Sequence, residues 1–234
     1  MVKCRHFKIL SHKRNNMIML KYLNFCLLIV LTFSSCRRFE QEKVIAKAEP
    51  FVPQNLYPIE RLPPHFNKVV ILPCHFDDLD SPMLEYIDVI VAQELAQERI
   101  FETTSFSTPE MIQNFKEPRF SSSNRLPENF LNRLEDITAA NGVLFVDIHS
   151  FRPYRPMSLG IRAKLVDIKT GDFMWAIDET FDLGHGSVIV GATEFQKVNH
   201  IRAISSKTTG SVLHSPRVFA KYAFSTCFST LPQR

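Results

Sequence analysis

The chain reads as an α/β domain on one mixed sheet, three-layer-like, with parallel strands from βαβ units, a C-terminal antiparallel hairpin and helices packed on the sheet. Three observations predict it. Val143–Phe151, Leu159–Ile168 and Phe173–Phe181 are rich in β-branched and aromatic residues and read as consecutive strands. Upstream, apolar runs alternate with helical patterns, strand–helix–strand–helix–strand, as in right-handed crossovers between parallel strands. The last two strands are joined by Lys169-Thr170-Gly171-Asp172, where Gly171 supplies the positive φ of a short hairpin loop.

Taken in order, Lys68–Pro73 is a continuous apolar run, hence a buried strand. A loop from Cys74 to Asp80 follows. Ser81-Pro82 starts a helix over Met83–Gln97, with Leu84, Ile87, Val91, Ala92 and Leu95 on its apolar face. Phe101–Phe106 is a second strand, and Thr108-Pro109-Glu110 repeats the cap-plus-proline signature for a helix to Phe115. After a polar loop, Glu117–Asn124, Pro127 opens a helix packed through Phe130, Leu131, Leu134 and Ile137 and stopped by Asn141-Gly142. Ser187–His200 can be helical, Ile201–Leu213 is loop, and Ser215-Pro216 starts a docking helix with Val218, Phe219, Tyr222, Ala223 and Phe224 inward. The hairpin register sets Ile168 opposite Asp172, Val166 opposite Met174, Leu165 opposite Trp175, Ala163 opposite Ile177 and Leu159 opposite Phe181, the last three pairs on the buried face. Glu179 opposite Ile161 is the one misfit on that face.

Composition is that of ordinary globular material: 234 residues, 45% hydrophobic and 22% charged. Gly is scarce at 7, which argues against a glycine-rich phosphate cradle. The net charge of +4 is a property of the leader. Lys3, Arg5, Lys8, Lys13, Arg14 and Lys21 precede residue 36 with no acid among them; without these six, 22 basic residues face 24 acidic ones, a net of −2. No nucleic-acid partner follows from such a balance.

The leader itself is a secretory signal: a basic region to Lys21, an uncharged apolar run Tyr22–Phe33, then Ser34-Ser35-Cys36. The run is too short for a confident spanning helix, which needs about 20 residues. Met17 or Met19 gives a more usual leader length than Met1. The expected division is a lipoprotein signal peptide over 1–35, a proline-rich tether over 36–64 (Pro50, Pro53, Pro58, Pro63, Pro64) and a single domain over 65–234. An irregular lead-in packed on the domain is the other reading of 36–64, since Phe51, Leu56, Tyr57 and Ile59 are apolar. Cys74 and Cys227 remain after the leader, both in apolar contexts that favour buried free thiols over a disulfide.

Several residues could carry chemistry. His75 with Asp77, Asp78 and Asp80 follows an expected parallel strand, where open α/β sheets bind ligands, and could hold a divalent cation; against that, an acidic loop before a helix is what capping and the dipole already favour. Asp147 and His149 lie two apart on one strand and could be an orienting carboxylate and a base, or a polar pair at the rim meeting Arg162 or Lys164. No GxSxG motif or metal-type Cys/His spacing accompanies them. His185, between glycines, reads as a solvated turn residue. Arg152, Tyr154 and Arg155, in the proline-stiffened corner Phe151–Pro156, are hot-spot residue types; the alternative is a stiff corner covering the core edge.

Phe33-Ser34-Ser35-Cys36 resembles a bacterial lipobox, with Phe33 in place of Leu, which would make Cys36 the lipidated first residue. Val69-Val70-Ile71-Leu72-Pro73, Gly142–Asp147 and Leu165-Val166-Asp167-Ile168-Lys169-Thr170-Gly171-Asp172-Phe173-Met174-Trp175 resemble envelope lipoproteins with a domain like the TolB amino-terminal domain. The curli-secretion lipoprotein and the lipoprotein activators of penicillin-binding proteins share that architecture. Asn141-Gly142-Val143 replaces the Ala-Asp usual there. Tyr154-Arg155-Pro156, Leu159–Leu165 and Ser215–Phe219 are similar to segments of bacterial lipoproteins of uncharacterised role. The resemblance implies a non-catalytic docking or assembly module at the outer membrane's periplasmic face, held by a lipid anchor, with an envelope protein as partner and no cofactor. The other readings are a metal-dependent or acid–base enzyme using His75, Asp77 and Asp78 or Asp147 and His149, and a subunit of a secretion pore, for which the chain lacks long alternating insertions.

Overall fold

Eleven residues of one strand, β5 (Gly142–Arg152), form the spine of the structure, a computed structural model that describes residues 48–76, 83–202 and 211–234. The leader with Cys36, the loop residues Asp77, Asp78 and Asp80, and the helix-start pair Ser81-Pro82 lie outside the described residues.

On one side β5 pairs antiparallel with β6 (Ser158–Asp167), β6 with β7 (Phe173–Asp182), and β7 with β1 (Leu56–Pro58). On the other side it pairs in parallel with two short strands in succession, β2 (Lys68–Ile71) and β3 (His75–Phe76). Beyond β2 lies β4 (Glu102–Ser105), also parallel, so the sheet runs β1-β7-β6-β5-β2-β4 with β3 beside β5. The parallel half comes from crossovers through α1 (Met83–Gln97), α2 (Thr108–Phe115) and α3 (Phe130–Thr138); α4 (Gly186–Arg202) and α5 (Pro216–Phe228) close the chain.

Two cores flank the sheet. One gathers Trp175, Ile177 and Phe181 of β7, Leu159, Ala163 and Leu165 of β6, Val91 and Leu95 of α1 and the inward face of α5. The other packs Val70, Val143, Phe145 and Val166 under Met111, Phe130 and Leu134 of α2 and α3. Helices thus cover both faces of the parallel half, giving the three layers expected.

The hairpin register is as the alternation dictates for Leu165–Trp175, Ala163–Ile177 and Leu159–Phe181, all buried. It departs near the turn. Val166 pairs with Phe173 rather than Met174, because a bulge between Leu165 and Val166 leaves Met174 as the extra residue, and the loop closes from Asp167 instead of Ile168. Gly171 has φ 75°, the conformation its place in the turn demands.

Part of the expected tether is domain. Phe51 packs 5.0 Å from Phe181, Leu56–Pro58 is an edge strand, and Leu62 is buried. The misfit at Glu179 is explained by this segment. Its Oε1 accepts the backbone N–H groups of Gln54 and Asn55 at 2.5 and 2.8 Å, so the carboxylate fastens the lead-in to the sheet edge.

Smaller differences have local causes. The cap of α2 is Ser107, one residue before Thr108, because Ser107 and Glu110 form a reciprocal capping box. Pro127 precedes α3 by three residues; Asn129 and Ala139 at its ends are both left-handed, and Asn141 is spent tying β2 to β5. Ile137, expected to pack, is exposed. Ser215 caps α5 as expected, accepting from Val218 N–H. Cys74 and Cys227 are buried free thiols.

Candidate functional site

The residues with chemical potential gather on the β5–β6–β7 face that the helices leave open. Position 75, expected in a loop, lies in strand β3, opposite Asp147 of β5. His75 Nδ1 is consequently 3.7 Å from Asp147 Oδ1. The two sequence candidates, one centred on His75 and the other on Asp147, are therefore one cluster.

Asp147 is 4% exposed and its oxygens are occupied. Ser122 donates its backbone N–H to both, each at 3.1 Å, and its hydroxyl to Oδ2. Two basic side chains of β6 hold the same loop down: Lys164 Nζ donates to Ser122 O at 2.8 Å, and Arg162 Nη1 to Ser123 Oγ at 3.0 Å. Ser122 was not singled out in the sequence; the run Ser121-Ser122-Ser123 is the only signal there.

His149 is not joined to Asp147. A bulge between Ile148 and Ser150 breaks the alternation, and His149 Nε2 lies 3.2 Å from Asp178 Oδ1. Arg162 Nε donates to the other oxygen of Asp178 at 2.7 Å. Gly160 makes the bulge possible: a Cβ there would stand 2.2 Å from the His149 ring and 2.4 Å from Ser150 Oγ. Both side chains thus lean over a position that must carry none.

A Ser, a His and an Asp in one cluster invite comparison with a hydrolytic triad, and the order is wrong. Nucleophilic serine needs an imidazole to take its proton, with the carboxylate behind the imidazole. Here the carboxylate stands between, accepting from Ser122 on one side and facing His75 on the other. Asp147 is a hub that fixes the serine loop and β3. Among the described residues no group of three His, Cys, Asp or Glu side chains is arranged to hold a metal. Cys74 and Cys227 add no nucleophile, since burial pushes both thiols well up.

The corner after β5 is ordered from within. Arg152 Nε donates to Pro156 O, and its Nη2 bridges both oxygens of Asp182 at 3.1 and 3.2 Å. Arg152 is spent on shaping the turn, while Tyr154, 80% exposed, and Arg155 project from it. His185 is exposed in the turn after β7.

No protein-family model and no curated protein matches the chain. Solved structures do. The PelC dodecamer from Paraburkholderia phytofirmans is 14% identical over 76% of this chain and 96% of its own, with a TM-score of 0.45. Lipoprotein GNA1162 from Neisseria meningitidis is 15% identical over 58% of this chain and 99% of its own, TM-score 0.41. TolB from Acinetobacter baumannii, bearing the name met in the sequence resemblance, is 12% identical over 67% of this chain and 33% of its own, TM-score 0.31.

Proposed function

We propose that this protein is an envelope lipoprotein, anchored through Cys36, whose domain is a non-catalytic docking module with the Arg152–Tyr154–Arg155 corner as its contact surface. The observation that carries the anchor is the uncharged run Tyr22–Phe33 closing on Ser34-Ser35-Cys36 behind a basic region. Among the described residues no helix is long and apolar enough to cross a membrane. The saturation of Asp147 by Ser122 supports a docking module, because this polar cluster holds the serine loop and β3 in place.

Mass spectrometry of the purified protein tests the anchor: a lipid-modified amino terminus at Cys36 is expected, with nothing upstream. A Cys36→Ser protein still held in the membrane through an uncleaved Tyr22–Phe33 segment would falsify it. For the contact surface, a photocrosslinker at position 154 in living cells reports what the corner touches; a corner that crosslinks to neither lipid nor protein sinks the docking reading.

A further inference from the structure

We propose that the end of the sheet carrying Tyr154 and Arg155 is a membrane-contact face, seated on the phosphate-bearing headgroup layer of the membrane that holds Cys36. The inference rests on the lipoprotein reading above and names what its corner docks on.

The first support is where the chain from the anchor joins the domain. β1 runs antiparallel to β7, so residues upstream of Leu56 run toward Asp182. Phe51 donates its N–H to Ser187 O at 3.0 Å and packs its ring 5.0 Å from Phe181. The Tyr154 corner is at this same end: Ser158 pairs with Asp182, Leu183 N–H donates to Met157 O, and Arg152 bridges Asp182. The Lys169–Gly171 turn lies a ten-residue strand away, roughly 33 Å at the usual rise. Residues 37–48 separate Cys36 from this end, a reach of about 40 Å fully extended. The corner is therefore at the end where the chain from Cys36 enters the domain.

The second support is what that end exposes. Tyr154 at 80% and Val52 at 66% are the two most exposed large apolar side chains among the described residues, and both are here. A tyrosine offers an apolar ring and a polar tip, the combination that settles at bilayer interfaces. Arg155 and His185 are exposed beside it. Of the nearby acids, Asp182 is paired with Arg152, Glu179 accepts only from two neutral backbone N–H groups, and Glu49 is exposed where the chain joins. Between Cys36 and this end the chain carries four bases, Arg37, Arg38, Lys43 and Lys47, against two acids, Glu40 and Glu42. An exposed aromatic beside Arg155, joined to a segment with two bases in excess, matches an anionic headgroup layer, each Lys or Arg strengthening contact about fivefold near such a surface.

The test uses the full lipidated protein in vesicles of phosphatidylethanolamine and phosphatidylglycerol carrying a headgroup spin label. A fluorophore is placed at His185→Cys, beside the corner, or at Ile137→Cys on α3, with Cys74 and Cys227 buried and unreactive. Quenching several-fold stronger at 185 than at 137 is expected, weakened by Tyr154→Ser with Arg155→Glu and by added salt. Equal quenching at the two positions, or indifference to the charge reversal and salt, overturns the proposal. Anchored protein with no quenching at 185, whose position 154 crosslinks in cells to an envelope protein, would show a protein partner and leave only the docking reading. Protein that fails to enter vesicles because Cys36 bears no lipid removes both readings.

Discussion

The indole Nε1 of Trp175 donates a hydrogen bond to Thr230 Oγ1 at 3.0 Å, and Thr230 Oγ1 in turn donates to Cys227 O at 2.7 Å. The second strand of the hairpin, β7, is thereby tied to the turn that ends α5, fifty-five residues later. The ring is fully buried, 6.1 Å from Phe228. Trp175→Ala should cost about 3–5 kcal/mol, the range for deleting a large core side chain. Tyr154→Ala, at an exposed corner, should change stability by no more than about 0.5 kcal/mol. Denaturant unfolding of the two variants checks this, and equal losses would mean that Tyr154 belongs to the fold.

Gly160 should tolerate no side chain while His149 stands over it. Gly160→Ala should destabilise the domain, because the added carbon meets the imidazole at 2.2 Å and Ser150 Oγ at 2.4 Å. Removing the ring in Gly160→Ala with His149→Ala should recover part of the loss, an interaction of about 0.5–3 kcal/mol between neighbours in a double-mutant cycle. Strict additivity of the two substitutions would show that the bulge is not what fixes glycine here.

Glu94 is buried on α1, and burial raises its carboxyl above the usual range, with Glu98 four residues on adding repulsion while Lys221 and Gln97 pull the other way. A carboxyl raised in the folded state holds its proton more tightly there than in the unfolded chain. Its contribution to stability is therefore complete below the unfolded value near 4.5 and is lost as pH climbs through the raised folded value. Glu94→Gln should melt higher than the parent at neutral pH, with the advantage shrinking toward acid. Melting curves across pH decide it; a variant less stable than the parent at neutral pH would point to a Lys221 ion pair outweighing desolvation.

Divalent cations should leave the melting temperature unchanged, both in the parent and in Asp77→Asn with Asp78→Asn. A ligand bound only by the folded state at a hundred times its Kd would add about 2.7 kcal/mol, which a thermal scan resolves easily. A parent that gains stability with metal and loses the gain on the double substitution would restore the enzyme reading of the loop after β3.

Much of this was readable before the fold was known. Strand alternation placed Trp175, Ile177 and Phe181 on one buried face with Leu165, Ala163 and Leu159 opposite, and cap-plus-proline pairs located α2 and α5 to within a residue. These signals are local: a pleat repeats every two residues and a cap acts over three, so a short window contains both cause and effect. What only the tertiary structure decided was which loops lie on which strand. Ser122 reaches Asp147 across 25 residues, and Gln54 reaches Glu179 across 125. His75 became a strand residue because β5 offered it an unpaired edge beyond β2, and His149 left Asp147 for Asp178 because one extra residue at the bulge turned it away. Such choices depend on groups that meet only when the sheet has formed, and no periodicity in the chain records them.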